Sequence, residues 1–408
     1  MVFFSKCRGW TTLFLEARRS YILLRKFRRF SVVNTSRKPG LVVGCGSNVV
    51  DLFVYVSQLP MRSGKVILSH NIDLKTESPT YTSSNIFVGG VTLNHLSWAS
   101  RFGVPCGLLA AQGTDAHGQL IRGACKHLEI CTDNVIVSSL YKSSSSIVFY
   151  DSKGERFILM MPGATSLMDA DFMKEHFSSS LDKACFFTTE ISQVPLSGVL
   201  YLLKLASEKG IPSVLDVDVS LTAACQRGNP AALGSESEFM ECLNIASVVK
   251  FSLSESESLF RYLFPSSPCT LENRDFAVKF SLSLLRRLNS AKLVIVTMGS
   301  QGSILTSNSG SVFVPVLKDK PIVDTTGAGD AYLGGIIGGL YHLGFPKSES
   351  SLLSLGRVAS RCASLCCSVV GGLASMEVDL RRFLVDLEKR NSEEDIVLPE
   401  MDLKPEAF

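Results

Sequence analysis

Residues 323–340 read VDTTGAGDAYLGGIIGGL, in which Gly327, Ala328 and Gly329 run into Asp330 just ahead of an apolar helical stripe at Leu333, Ile336, Ile337, Leu340 and Tyr341. A turn at a helix N-terminus offers backbone N–H groups without intrahelical partners, at the positive end of the helix dipole. Glycines let those donors converge with no Cβ in the way, which makes a cradle for an oxyanion such as a phosphate. Asp330 projects from the first turn of the same helix. A carboxylate beside a phosphate is repelled unless it has a partner of its own, and a hydroxyl that sheds its proton while attacking phosphorus is such a partner. Plain helix capping accounts for Asp330 but leaves the glycines before it unexplained. Within the helix, Gly334, Gly335, Gly338 and Gly339 each cost about 1 kcal/mol relative to Ala, so a strand or helix is expected to approach that face closely.

Other nucleotide motifs are weaker or missing. No GxxxxGK[ST] occurs, and GCGSNV at 44–49 begins like GxGxxG but lacks the third glycine, while Asp51 comes too early to hold a ribose from the next strand.

The elements that must position this turn follow from hydrophobic patterning. LVVGC (41–45), CGLLAA (106–111), ACFFTT (184–189), PSVLDV (212–217), ASVVKF (246–251) and LVIVTM (293–298) read as buried strands. Helix-length stretches lie between them, such as LSGVLYLLKLASEKG (196–210), which stops at Gly210 before Pro212. That alternation predicts βαβ units, a mostly parallel sheet and helices on both faces. Ligands bind beyond the carboxyl ends of such strands, where Asp51, Glu190, Asp218, Ser252, Glu255 and Gly299 fall. Residues 64–88 and 141–162 break the alternation and read as strand pairs, the second around Asp-Ser-Lys-Gly, so a small β lid is expected over one sheet edge.

Charge is concentrated at one end. Residues 1–40 carry seven Arg and three Lys against Glu16 alone, a balance of +9, so with the whole chain at +3 the remainder stands at −6. Arg interleaved with Leu and Phe in that leader predicts an organelle transit peptide, mitochondrial rather than plastid because Ser and Thr do not dominate; a disordered basic arm, an RNA-binding arm and a cytoplasmic location are the alternatives. Residues 41–390 form the expected folded domain, and 391–408 an acidic tail. No uncharged apolar run of membrane-spanning length is present, so no span is expected. The twelve cysteines lack metal or disulfide spacing, Cys362, Cys366 and Cys367 coming nearest, and read as core residues; the six histidines are isolated and none is assigned to catalysis.

DTTGAGD at 324–330 resembles the second signature of the ribokinase-like (PfkB) carbohydrate kinases, and GGVTLNHLSWASRFG at 89–103 resembles the first. The likeness extends over about residues 41–390, through GSNVVD, the hairpin ending in MMPGA and VTMGSQG at 296–302. It implies a three-layer α/β sandwich with a β lid and ATP-dependent phosphorylation of a sugar or polyol, with no nucleic-acid partner. In that family pattern Asp330 matches the catalytic base, and Gly327, Ala328 and Gly329 the anion hole. Asp51, Gly89, Gly90 and Asn94 match substrate ligands, joined by Glu190. Lys250, Ser252, Thr297, Gly299 and Gly302 fall where the family meets ATP, and Glu255 matches the residue that holds Mg²⁺ through water. Ser252 stands where the family has Asn, which puts the organisation of the metal in question. A monovalent cation such as K⁺ is implied near Asp324, Thr326, Gly371 and Ser375. Two alternatives stand beside a sugar kinase: a nucleoside kinase with Phe87, Tyr81 or Phe149 as a base platform, and a non-catalytic organellar scaffold. An uncovered lid edge predicts a homodimer through the lid.

Overall fold

A computed structural model describes residues 40–57, 59, 64–67, 85–151, 156–226, 228–229, 231–265, 272–374, 378–381 and 383–384. The leader, the acidic tail, Tyr81 and Ser375 lie outside the described residues.

Nine strands of the described residues form one sheet: β1 (Leu41–Cys45), β5 (Cys106–Gly113), β6 (Val135–Ser138), β9 (Ala184–Ile191), β10 (Ser213–Val217), β11 (Val248–Ser252), β12 (Leu293–Thr297), β13 (Ser303–Ser307) and β14 (Gly310–Val314). Their order is β14-β13-β12-β11-β10-β9-β1-β5-β6. All neighbours are parallel up to β12, and β13 and β14 extend that edge antiparallel. The six strands expected from sequence are all present. They read as continuous apolar runs because both faces are covered: Val43 packs into one hydrophobic cluster and Val42 into the other. This is the ribokinase-like three-layer sandwich, with helices on both sides of the sheet.

A second sheet contains β2 (Val49–Tyr55), β3 (Gly64–Ile67), β4 (Ile86–Gly89), β7 (Ser145–Tyr150) and β8 (Arg156–Met161), in the order β3-β8-β7-β2-β4. Both segments expected to form the lid contribute to it. The unexpected member is β2, which begins three residues after β1 ends and pairs with both β4 and β7. Asp51 therefore belongs to a lid strand rather than to the mouth of the main sheet.

The helix Ala328–Leu343 lies between the helices Val91–Ser100 and Glu349–Cys367, and its glycines explain how. A Cβ at Gly334 would stand 2.5 Å from Trp98 Cβ and 2.9 Å from the His95 carbonyl, and one at Gly338 would run into the Phe102 ring. On the other side, a Cβ at Gly335 would meet Ala359 Cα at 2.8 Å and one at Gly339 would meet Leu355 at 2.5 Å. Two helices press on two glycine stripes. The ten cysteines of the described residues carry free thiols, seven of them buried, and burial pushes those of Cys45, Cys106 and Cys362 upward.

Candidate active site

Gly327 is the N-cap of its helix at φ +73°, a left-handed conformation that costs glycine little, and a Cβ there would fall 2.5 Å from Gly372 Cα. No side chain caps this N-terminus. Ala328 N reaches back to the Thr325 carbonyl at 3.3 Å, and the amides that follow sit at the unpaired start of the helix. Gly327, Ala328, Gly329 and Asp330 are all half-buried, so the turn is open to one side.

One short helix arranges the acids around this turn. Within Val91–Ser100, Asn94 Nδ2 donates to Asp330 Oδ2 at 2.7 Å, Thr92 Oγ1 donates to Glu190 Oε2 at 2.7 Å, and His95 Nε2 lies 3.3 Å from Asp216 Oδ2. The helix starts at Gly90, whose φ of +109° and 2.5 Å clearance between a notional Cβ and the Ser47 carbonyl admit only glycine. Asn94 is 4% exposed, and its Oδ1 is buried with no hydrogen-bond partner among the described residues. A Cβ at Gly89 would lie 2.5 Å from Asp51 Oδ2 and 3.9 Å from Asn94 Oδ1, so both oxygens face the same space over that glycine. Asp51 Oδ1 accepts from Ser146 Oγ on the adjacent lid strand. Asp51, Gly89, Asn94 and Asp330 thus converge, and a buried acceptor awaits a donor there.

Two residues assigned from sequence are buried and paired within the protein. Glu190 is fully buried, and its carboxylate is taken by Ser47 N and Ser192 Oγ, each at 2.8 Å, and by Thr92. It ties the β1–β2 connection to the main sheet. Lys250 is buried beside the glycine turn. It is 4% exposed and donates to both Asp216 oxygens at 2.9 Å, the two residues being register partners on β10 and β11. A Cβ at Gly329 would stand 3.0 Å from Lys250 Nζ, so the ammonium lies against the anion-binding turn. Burial pushes the Asp216 carboxyl up, but Lys250 and His95 outweigh it and hold the group below its ordinary value. Burial likewise pulls Lys250 down, and Asp216, Asp330 and Asp218 reverse that, so the ammonium is held above its ordinary value. Ligand atoms of His95, Asp216 and Asp330 come within 4.8 Å of one another, yet Lys250 already takes both Asp216 oxygens and supplies the cation.

Sequence reasoning overlooked His95, Asp216 and Ser146. Asp216 left a readable sign, because an acid inside an apolar strand needs a partner, and Lys250 is the base inside the neighbouring one.

Of the remaining nucleotide-side residues, Ser252 begins the helix Leu253–Leu263 as its N-cap, and its hydroxyl donates to Glu255 Oε2. Ser254 Oγ donates to the other Glu255 oxygen at 2.9 Å. Thr297 Oγ1 donates to the Phe251 carbonyl at 3.3 Å. Gly299 is exposed with open space where a Cβ would be, whereas Gly302 is buried and shapes the β12–β13 turn at φ +95°. Asp324, Thr326 and Gly371 form one cluster before and beneath the turn: Thr326 N and Oγ1 donate to Asp324 Oδ1 at 2.9 and 2.7 Å, and Gly371 N donates to Oδ2 at 3.1 Å.

The model of the pfkB family of carbohydrate kinases matches residues 68–379. The chain belongs to that family. It is 27% identical over 341 residues to the ribokinase of Schizosaccharomyces pombe, covering 81% of this chain and 96% of the relative. The structure of Arabidopsis thaliana ribokinase complexed with ribose and ATP superposes with a TM-score of 0.61 at 22% identity, over 86% of this chain and 99% of that one. Adenosine kinase from Sinorhizobium meliloti gives a TM-score of 0.65 at 15% identity, over 86% and 99%. The carbohydrate kinase therefore shares its fold with kinases of both sugars and nucleosides. No helix among its described residues is long and apolar enough to cross a membrane.

Proposed function

We propose that this carbohydrate kinase transfers the γ-phosphoryl group of ATP to a hydroxyl of a sugar or related polyol, with Asp330 as the base that receives the hydroxyl proton. The observation that carries this reading is the unpartnered Asn94 Oδ1, buried between Asp330 and Asp51. A polyol supplies several O–H donors in fixed directions, which is what an amide oxygen and a carboxylate converging on one space require. Asn94 holds Asp330 through Nδ2 and offers its other end to the acceptor. The attacking oxygen is then presented beside the glycine turn, whose free amides and the Lys250 ammonium face the transferring group.

The residues present suit Mg²⁺ held through water: Glu255 is a half-buried carboxylate oriented by two serine hydroxyls, with Ser252 itself offering a hard oxygen. When bound, Mg²⁺ neutralises phosphate charge. Exclusion of water falls to the lid, whose strand β2 brings Asp51 over the acceptor space.

Of the three aromatic residues expected as a base platform, the two that the structure describes favour a sugar over a nucleoside; Tyr81 lies outside the described residues. Phe87 packs edge-on against Phe53 at 5.1 Å and Phe149 stacks on Phe157 at 6.3 Å, so each is engaged with another ring. A panel of pentoses, hexoses, polyols and nucleosides, assayed for ATP consumption with Mg²⁺, tests the reading. Turnover of sugars supports it, turnover of nucleosides alone replaces it with the nucleoside kinase, and none at all leaves a non-catalytic scaffold. We also read the basic leader as a mitochondrial import segment, and a reporter carrying residues 1–40 that stays cytosolic would overturn this. A homodimer through the lid edge is a further proposal, checked by the mass of the purified protein in solution.

A further inference from the structure

The loop ahead of the glycine turn already has a cation, and it comes from the lid. Arg156, the first residue of β8, places Nη1 2.9 Å from Asp324 Oδ1, and its guanidinium also donates to the Thr325 and Thr326 hydroxyls. The Asp324 carboxylate therefore receives Arg156 and Thr326 on one oxygen and the Gly371 amide on the other. Backbone oxygens that would complete an ion cage are also engaged: Thr326 O faces Cys366 Sγ at 3.3 Å, Gly372 O accepts from Trp98 Nε1 at 2.9 Å, and Cys367 O accepts from Val323 N and Asp324 N at 2.7 and 3.2 Å. An alkali cation here would have to share the Asp324 carboxylate with a guanidinium that already brings a full positive charge to it. Among the described residues the donor set around Asp324 is already filled by a cation and does not fit a second one, and Ser375 lies outside those residues.

We infer that Arg156 is the resident cation of the Asp324–Thr326 loop, so that this kinase needs no K⁺ and the anion-binding turn is instead held in shape by a lid strand. Guanidinium carries the same single charge as K⁺, but it matches carboxylate and hydroxyl acceptors with directed N–H groups. Because β8 pairs with β7, which pairs with the Asp51 strand β2, closing the lid on an acceptor and seating the guanidinium against the turn are one movement. Arg156 is a positioning residue, acting on the turn through Asp324 and the two threonines.

This inference rests on the kinase reading of the site, and the experiment separates the two. Thermal unfolding of the full chain is followed in KCl and in tetramethylammonium chloride at equal ionic strength, for the natural protein and for Arg156→Gln and Arg156→Lys. Initial rates on the best acceptor are taken in the same salts. The natural protein should melt at the same temperature and turn over at the same rate in both. Arg156→Gln should lose about 100-fold in kcat without K⁺, regain part of it with K⁺ or added guanidinium, and melt higher in KCl. Arg156→Lys should sit between the two. A natural protein that melts higher or works faster specifically in K⁺, or an Arg156→Gln variant indifferent to both salts, would overturn the inference. If no acceptor is turned over the kinase reading fails, and the melting curves still decide the role of Arg156.

Discussion

Asn94 donates through Nδ2 to Asp330 Oδ2 at 2.7 Å, joining two residues 236 positions apart in the chain. The bond fixes the carboxylate over the turn that precedes it. If Asp330 takes the acceptor proton, Asp330→Asn keeps the shape and the bond partner but removes the base. Turnover should fall by about 10²–10⁴-fold while ATP affinity, measured by calorimetry, stays unchanged. Near-normal turnover would show that the proton goes elsewhere.

Asn94 has a second end, and removing it should register in the acceptor rather than in the nucleotide. Asn94→Leu deletes the orphaned Oδ1 together with the bond to Asp330. The expected result is a fall in kcat/KM for the acceptor of about 10-fold or more with the KM for ATP little changed, since a hydrogen bond to a charged group is worth roughly 1.5–3 kcal/mol. Equal losses for both substrates would mean that the helix had moved.

The Lys250–Asp216 pair makes a prediction about stability. Lys250→Met leaves Asp216 buried and charged beside only His95, which should cost about 3–5 kcal/mol, whereas Lys250→Met with Asp216→Leu should recover most of it. The pair also sets the pH window. Asp216 is held below its ordinary 3.8, so its contribution is complete above that value and is lost as the pH falls through the folded one. Lys250 is held above 10.5, so its contribution is complete below that value and is lost as the pH rises through the folded one. Denaturant melts should therefore show a plateau between these limits, and both limbs should flatten in the double variant.

The glycine stripes predict a link between packing and rate. At Gly334 the obstructing atoms are the Trp98 Cβ and the His95 backbone, which cannot swing aside. Gly334→Ala should destabilise by about 1–3 kcal/mol and, by pushing away the helix that bears Asn94, should also lower kcat. Gly123→Ala, inside the helix Ala116–His127 and with nothing within 4 Å of the added carbon, is the control: it should leave kcat unaltered and raise stability by about 1 kcal/mol.

The main sheet could be read from sequence because strands buried on both faces are written as unbroken apolar runs with polar residues at their ends. β2 could not be, because VVDLFVY follows β1 after only three residues and neither alternates polar with apolar nor forms a wholly apolar run, so Asp51 passed for a strand-end residue. The glycine turn and Asp330 were legible because helix-terminus chemistry is local. His95 and Arg156 were not, because each gains its role from a partner more than a hundred residues away. For Glu190 the place at a strand end is visible in the sequence, but the three donors that hold it are not.

Of the four crossings between the two sheets, the one from β1 to β2 is three residues long, Gly46–Asn48, and it is bolted at each step. Ser47 is held by Glu190 and by Val91 N, and Asn48 by Gln112, itself held by Arg122. A strap so short and so anchored has no slack for sliding, only for tilting about a fixed line. If the lid sheet pivots at that strap, its travel is smallest beside Asp51 and grows toward β8, where Arg156 meets Asp324.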